Sequence, residues 1–292
     1  MKKNYIFIII LFMFLFSVNS YAKEKLGLLI IAHGAPHKEW NKPVLNLEKD
    51  VKELISQKKG NPFLEIKVAL MEFNEPSIYT AIKIFEKKGI EKIYALPIFI
   101  APSGHSVCDI PTILGLYKDK KILNQLKEEK IKVVDTNIKI FLGPTLNYGN
   151  LLKDIMLDRV KELSVNINNE SLVILAHGDK NYEKIWSDLC REIGSYICGK
   201  TGIKYFDYAF IEVGQSFLVD GVPVILRANE KYEKTIVQGL YLSMGVKSMS
   251  KKYHEIFKDK NIIFSNKGLL PDKRVSKWIV KRALECVKKE ES

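Results

Sequence analysis

Arginine is scarce in this chain of 292 residues. Five of its 46 basic residues are arginines, and the others are lysines scattered among glutamates on the faces of predicted helices. Proteins that read nucleic acids usually cluster arginine with aromatic side chains, so the sequence does not predict a nucleic-acid partner. The net charge of +12 indicates either a solvated, lysine-rich surface or attraction for a polyanionic small molecule.

Cysteine is scarce as well, and several common motifs are missing. The four cysteines form no CxxC pair, no haem-attachment motif and no zinc-finger spacing. The chain also contains no P-loop, GxGxxG, GxSxG or HExxH motif. An oxidising compartment would permit a disulfide, for which Cys190 and Cys198 are the nearest pair in sequence. We expect at least two of the four cysteines to be free, buried thiols.

The first 22 residues have the three-part layout of a secretory signal peptide. Residues 1–4 are a short basic start, residues 5–18 are almost unbroken apolar sequence, and Ser20 and Ala22 occupy the −3 and −1 positions of a cleavage site. The apolar stretch is short for a membrane span, which needs about 20 residues; an uncleaved anchor is the alternative. We predict a signal peptide over residues 1–22, export to the periplasm, and no stable membrane span after cleavage.

From Leu26 onward, short apolar runs alternate with segments of helical periodicity. The predicted strands of the first half are the runs at 26–32, 65–71, 92–100 and 131–135. Short, continuous apolar strands between amphipathic helices indicate a parallel sheet with helices on both faces. The sequence therefore predicts an α/β fold of the doubly wound type.

The second half repeats this plan. LGLLIIAHG (26–34) matches SLVILAHG (171–178), both followed by a tryptophan, and Glu72 matches Glu212. We predict two tandem domains from one duplication, over residues 27–145 and 146–292, with a helix near residues 151–163 crossing between them. Where the first half has His105, the second half has Lys247 or no aligned residue, and an ammonium group does not bind a metal. The second domain is therefore predicted to be a degenerate repeat.

Three side chains of metal-ligand type follow three predicted strands. His33 and Glu72 each end an apolar run, and His105 lies in the loop APSGHSVCDIP (101–111). Open α/β sheets bind their ligands at the carboxyl ends of the strands. Two imidazoles and one carboxylate suit divalent Fe, Co, Ni or Zn, and they leave coordination positions open. The sequence predicts a metal site formed by His33, Glu72 and His105.

Two of these residues, His33 and Glu72, also have a purely structural interpretation, whereas the polar, glycine-containing loop of His105 favours a functional role. Backbone hydrogen bonds could satisfy His33, and Glu72 or Glu75 could cap the helix that follows. Among the other residues of ligand type, His37 is a secondary candidate and His254 is expected at the surface. Cys108 could be an auxiliary ligand, but we expect a structural role for it.

The motifs around the three predicted ligands resemble those of class II chelatases of tetrapyrrole biosynthesis. They are the strand followed by His-Gly at 28–34, Glu-x-x-Glu-Pro-Ser at 72–77, Pro-x-Phe-x-x-x-x-Gly-His-x-x-x-Asp-Ile-Pro at 97–111, and the run at 142–163. The chain resembles the CbiX-type sirohydrochlorin cobaltochelatases most, and the CbiK-type enzymes and ferrochelatases more distantly. The resemblance extends from about residue 27 to 163, and the second half shares it only in outline.

This resemblance implies two flavodoxin-like, chelatase-like lobes with a tetrapyrrole cleft between them. It implies that a divalent metal, Co²⁺ first and Fe²⁺ or Ni²⁺ as alternatives, is inserted into a sirohydrochlorin-like macrocycle without ATP or an organic cofactor. His33 and His105 would bind the metal and accept protons, with Glu72 as their acidic partner. The implied partner is the polyacidic tetrapyrrole, which suits a basic chain. Assembly into a homo-oligomer is left open, because two repeats already form a cleft.

The predicted export favours a second hypothesis, in which the chain is an exported metal-binding or haem- and tetrapyrrole-binding protein without turnover. The intact ligand set of the first half favours catalysis.

Overall fold

The computed structural model describes residues 24–211 and 216–291 of the chain. They form two four-stranded parallel sheets, with strand orders β2-β1-β3-β4 and β6-β5-β7-β8. The strands are β1 Leu26–Ala32, β2 Phe63–Leu70, β3 Lys92–Pro97, β4 Lys139–Leu142, β5 Glu170–Ala176, β6 Tyr205–Phe210, β7 Lys234–Leu240 and β8 Ile262–Phe264. The shared order confirms the predicted fold of two doubly wound sheets. The predicted signal peptide and Glu212 lie outside the described residues.

The central strands β1 and β5 explain why the sequence shows continuous apolar runs. All seven residues of each strand are buried. Each strand pairs with a neighbour on both sides: Ile30, for example, aligns with Val68 and with Leu96. Because helices cover both faces of a parallel sheet, its inner strands are apolar at every position instead of alternating.

Helices flank both sheets. Their bounds are α1 Lys38–Ser56, α2 Ile78–Lys87, α3 Ile110–Ile113, α4 Lys120–Glu128, α5 Leu151–Lys161, α6 Glu183–Thr201, α7 Val222–Lys231, α8 Lys247–Ser250, α9 His254–Phe257 and α10 Lys273–Glu291. Short π-helices span His105–Asp109 and Phe217–Gly221, and 3₁₀ turns span Ile167–Asn169, Lys180–Tyr182 and Lys251–Tyr253.

The two halves exchange helices. After β4 of the first sheet, α5 packs against α6 and β7 of the second half; after β8, α10 returns to pack against α1 and β3 of the first half. One apolar core, which includes Ile30 and Ile174, therefore runs continuously between the sheets, while a separate cluster lies on the outer face of each sheet. The domain division at residue 145 stays a prediction.

The predicted strand at 131–135 is wrong. This segment is coil, and the edge strand is β4 a few residues later, where Tyr94 aligns with Phe141. Val134 is instead buried in the outer cluster of the first half, and its N–H donates to the carbonyl oxygen of Ile113 at 2.7 Å. Two short apolar segments follow each other here, and the period of the pattern does not tell which one pairs with β3.

The nearest cysteine pair is not a disulfide. Cys190 and Cys198 are both free thiols, and both lie on α6. The helical rise separates them by about 12 Å, beyond the reach of a disulfide. Among the described residues, no helix has both the length and the apolar character needed to span a bilayer.

Candidate metal centre

His33, Glu72 and His105 lie together at the carboxyl edge of the first sheet. One ligand atom from each side chain falls within 4.8 Å of the others. His33 directly follows β1, Glu72 comes two residues after β2, and His105 opens the π-helix after β3. Because β1 lies between β2 and β3, these loops are neighbours at the point where the chain switches direction across the sheet. Their role as metal ligands stays a prediction.

Hydrogen bonds to backbone carbonyl groups interlock the loops that carry His33 and Glu72. The Glu72 N–H donates to the His33 carbonyl oxygen at 2.9 Å, and Asn74 Nδ2 donates to the Ala35 carbonyl oxygen at 2.7 Å. Gly34 has φ +91°, and a Cβ at this position would lie 2.4 Å from the Glu72 carbonyl oxygen. Only glycine allows both this conformation and this approach.

Each histidine ring is held through Nδ1, which leaves Nε2 available. His33 Nδ1 lies 3.0 Å from the Gly34 carbonyl oxygen; a carbonyl only accepts, so Nδ1 carries the proton. His105 Nδ1 lies 2.7 Å from Asp109 Oδ2. The two imidazole rings meet edge to face with centroids 4.6 Å apart, and His33 Nε2 lies 3.9 Å from Glu72 Oε1. In metal-binding histidines, a hydrogen bond at the nitrogen that does not bind the metal commonly fixes the orientation of the ring.

Asp109 is a site residue to which sequence reasoning gave no role. It is buried and lies four residues after His105, within the π-helix. Only the His-x-x-x-Asp spacing in the motif at 97–111 could have indicated it, because residues four apart lie on one face of a helix.

Burial and neighbouring charges move the pKa values of the three side chains in different directions. Burial lowers the pKa of His33, which favours the neutral ring. Burial raises the pKa of Glu72. The hydrogen bond to Asp109 raises the pKa of His105 against the opposing effect of burial. The site thus combines a neutral imidazole, a carboxylate that binds protons more readily than usual, and an imidazole stabilised in its charged form.

The second half holds the loop that carries His105. The Gly104 N–H donates to Asp179 Oδ2 at 2.9 Å, and Trp186 Nε1 donates to the Pro102 carbonyl oxygen at 2.9 Å. Sequence reasoning gave neither Asp179 nor Trp186 a role, although the tryptophan recurs in the internal repeat. The second half therefore supports the geometry of the first half's site.

His177 of the second half is arranged like His33. It follows β5, and its Nδ1 lies 2.9 Å from the Gly178 carbonyl oxygen. The charge of His177 lowers the pKa of His33, although less than burial does. His177 is outside the group of ligand atoms around His33.

The other candidates have structural roles or lie at the surface. Glu75 Oε2 accepts from the Ser77 N–H at 2.6 Å, and the Ser77 side chain caps α2, so Glu75, not Glu72, supports the start of that helix. Four further residues lie outside the ligand group: His37, Cys108, Lys247 and His254. The ring of His37 lies next to that of Trp40, and Lys247 and His254 are exposed.

Comparison with known proteins identifies the family. The CbiX family model matches residues 27–163. A sirohydrochlorin cobaltochelatase of Methanococcoides burtonii is 33% identical over 140 residues, which are 48% of this chain and 98% of that protein. The chain belongs to the CbiX family. The match covers the half of this CbiX-family chain that carries His33, Glu72 and His105.

Solved structures extend the likeness of fold to both halves. SirB from Bacillus subtilis, determined with Fe³⁺, superposes with a TM-score of 0.67 at 17% identity, covering 91% of this chain and 97% of SirB. SirB from Bacillus subtilis subspecies spizizenii in complex with cobalt gives a TM-score of 0.64 at 16% identity, with the same coverage. This CbiX-family protein is a metal chelatase, and its two parallel sheets form a chelatase fold.

Proposed function

We propose that this CbiX-family chain inserts a divalent metal, Co²⁺ in preference and Fe²⁺ as the alternative, into a sirohydrochlorin-like tetrapyrrole. The observation that carries the proposal is the group of His33, Glu72 and His105, whose ligand atoms lie within 4.8 Å. The names of the relatives support the substrate, since the matching protein of Methanococcoides burtonii is a sirohydrochlorin cobaltochelatase. The SirB structures with Fe³⁺ and with cobalt leave both metals in consideration.

The three side chains suit temporary metal binding. Nitrogen and carboxylate donors together bind Co²⁺ and Fe²⁺ well. Because the protein offers three ligand atoms in this group, a bound ion would keep open coordination positions. The pyrrole nitrogens of the substrate could bind there first and then replace the protein ligands. A closed set of protein ligands would retain the metal.

Metal insertion also requires that the pyrrole N–H protons leave. Burial raises the pKa of Glu72, which makes this carboxylate a better proton acceptor than usual. Burial lowers the pKa of His33, which favours a neutral ring that can bind metal. Asp109 raises the pKa of His105, so protons compete with metal for this ring more than usual, and metal binding should weaken as the pH falls.

A spectroscopic assay tests the proposal. Sirohydrochlorin is mixed with Co²⁺ or Fe²⁺, and insertion is followed by the change in absorption, with and without the purified protein. We expect the wild-type chain to accelerate insertion above the spontaneous rate and His105→Ala to lose that acceleration. His254→Ala is the matched control, since His254 is exposed and lies outside the ligand group.

The assay also distinguishes the alternative function. Equal acceleration by His105→Ala and the wild type would contradict the proposed site. If the wild type binds the tetrapyrrole but does not accelerate insertion, the chain is a binding protein without turnover. The ratio of rates with Co²⁺ and Fe²⁺ under anaerobic conditions identifies the preferred metal.

We also propose export to the periplasm, supported by the signal-like composition of residues 1–22. A chain with a C-terminal tag should be recovered from the periplasmic fraction at the mass expected after cleavage. Recovery of the full-length chain from the cytoplasm would contradict this proposal.

A further inference from the structure

Phe73, the residue after Glu72, has an unusual backbone conformation for a large side chain. Its φ is +68°, and the Asn74 N–H donates to the Glu72 carbonyl oxygen at 2.8 Å across it. This is a three-residue γ-turn of the rare, strained type. Bulky residues seldom adopt a positive φ, and such strain persists where surrounding contacts enforce it.

Contacts on both sides hold the turn in place. Before it, the Glu72 N–H is bound to the His33 carbonyl oxygen at 2.9 Å; after it, Asn74 Nδ2 is bound to the Ala35 carbonyl oxygen at 2.7 Å. A glycine would adopt this conformation without strain. The fold therefore explains the turn, but it does not explain a phenylalanine there.

The ring of Phe73 is exposed beside the metal centre. Phe73 is 58% exposed, although its ring centroid lies only 6.0 Å from that of His33. It also lines an open cavity of about 360 Å³ whose walls include Glu72, Lys130 and Lys132. An aromatic face thus meets free space next to a predicted ligand, in a cavity that also carries two lysines and three carboxylates: Lys130, Lys132, Glu72, Glu75 and Glu129.

We propose that Phe73 is a substrate-binding residue on which the planar face of the tetrapyrrole stacks. The inference rests on the proposed function. An extended conjugated macrocycle offers a large π-face, and aromatic side chains bind such faces through offset stacking. Stacking on Phe73 keeps the macrocycle next to His33, whose ring centroid lies 6.0 Å from that of Phe73. The strained turn serves to present this ring to the substrate.

The test measures two dissociation constants for each variant. One is for metal-free sirohydrochlorin, followed by the quenching of tryptophan fluorescence, and the other is for Co²⁺ without tetrapyrrole. The variants are Phe73→Ala, Phe73→Gly and Phe73→Tyr. Leu64→Ala is the matched control, because Leu64 is 55% exposed and precedes the buried part of β2, far along the strand from its carboxyl end.

We expect Phe73→Ala and Phe73→Gly to weaken sirohydrochlorin binding about five- to hundredfold, the range for loss of one aromatic stacking contact. Phe73→Tyr and Leu64→Ala should bind it like the wild type. All variants should keep the wild-type affinity for Co²⁺, because the ring is not a ligand. Phe73→Gly separates the ring from the turn, since glycine keeps the backbone conformation.

The other outcomes overturn the inference in distinguishable ways. Wild-type sirohydrochlorin affinity in both Phe73→Ala and Phe73→Gly would exclude stacking while leaving the proposed insertion intact. If only Phe73→Gly keeps the wild-type affinity for sirohydrochlorin, the backbone conformation at this position is what matters and the ring is not. Failure of the wild-type chain itself to bind sirohydrochlorin would overturn the proposed function and this inference together.

Discussion

His105 Nδ1 and Asp109 Oδ2 lie 2.7 Å apart across the π-helix that follows β3. A buried carboxylate thus engages one nitrogen of the ring and leaves the other available for a metal or a proton. The same contact raises the pKa of His105, so orientation and proton affinity depend on one residue.

Removing the charge of Asp109 should change both properties. In Asp109→Asn the pKa of His105 should fall, because the hydrogen bond that raises it is weakened, and kcat for insertion should drop about 10- to 100-fold. Titration of the imidazole resonances by NMR measures the first effect, and the absorption assay measures the second. Asp188→Asn on the exposed face of α6 is the control. An unchanged pKa of His105 would show that Asp109 does not control this ring.

The contacts from the second half should matter for activity. Asp179→Ala removes the acceptor for the Gly104 N–H, and Trp186→Phe removes the donor to Pro102 while keeping an aromatic ring in the core. Each should lower the insertion rate several-fold, because a small misplacement of a reacting group is costly.

For Asp179→Ala and Trp186→Phe, circular dichroism and melting curves would distinguish a displaced loop from an unfolded protein. Asp188→Ala serves as the control. Full activity in the double variant would mean that the His105 loop keeps its position without the second half.

Gly34 and Gly60 offer a matched comparison of backbone effects. Both have positive φ, but a Cβ on Gly34 would lie 2.4 Å from the Glu72 carbonyl oxygen, whereas Gly60 has nothing within 4 Å. Gly60→Ala should cost about 1–2 kcal/mol of unfolding free energy from the conformation alone. Gly34→Ala should cost about 2–5 kcal/mol, since steric overlap is added, and should impair insertion. Urea unfolding measures both, and equal costs would contradict the close approach.

The buried pair of Glu170 and Lys234 should make stability depend on pH. Burial alone would raise the pKa of Glu170, but Lys234 at 2.8 Å, Ser164 and two backbone N–H groups together lower it to about 2. Because the folded-state pKa is depressed, this stabilisation is present above pH 4.5 and is lost as the pH falls toward 2. It amounts to at most about 3 kcal/mol.

Substitution of Glu170 checks this linkage. Glu170→Gln should be less stable than the wild type at pH 7, and the difference should shrink as the pH falls below 4.5, as measured by urea midpoints at several pH values. Glu230→Gln, on an exposed residue at the end of α7, should change little. A difference that stays constant from pH 7 to pH 3 would refute the linkage.

The sequence by itself determined the fold class and the three principal side chains of the candidate site. Continuous apolar runs such as β1 and β5 indicate strands that are buried on both faces of a sheet. The internal sequence repeat indicates that there are two such sheets. His33, Glu72 and His105 follow strands, and parallel strands end at the same edge. Local pattern and strand direction suffice for these inferences.

Only the tertiary structure decided how these side chains are held. Gly104 meets Asp179 across 75 residues of sequence, and Trp186 reaches Pro102 across 84. The exchange of α5 and α10 and the choice of β4 as the edge strand also depend on such distant contacts. The period of an apolar pattern indicates which face of a helix or strand is buried. Which other element packs against that face depends on contacts between segments far apart in the chain.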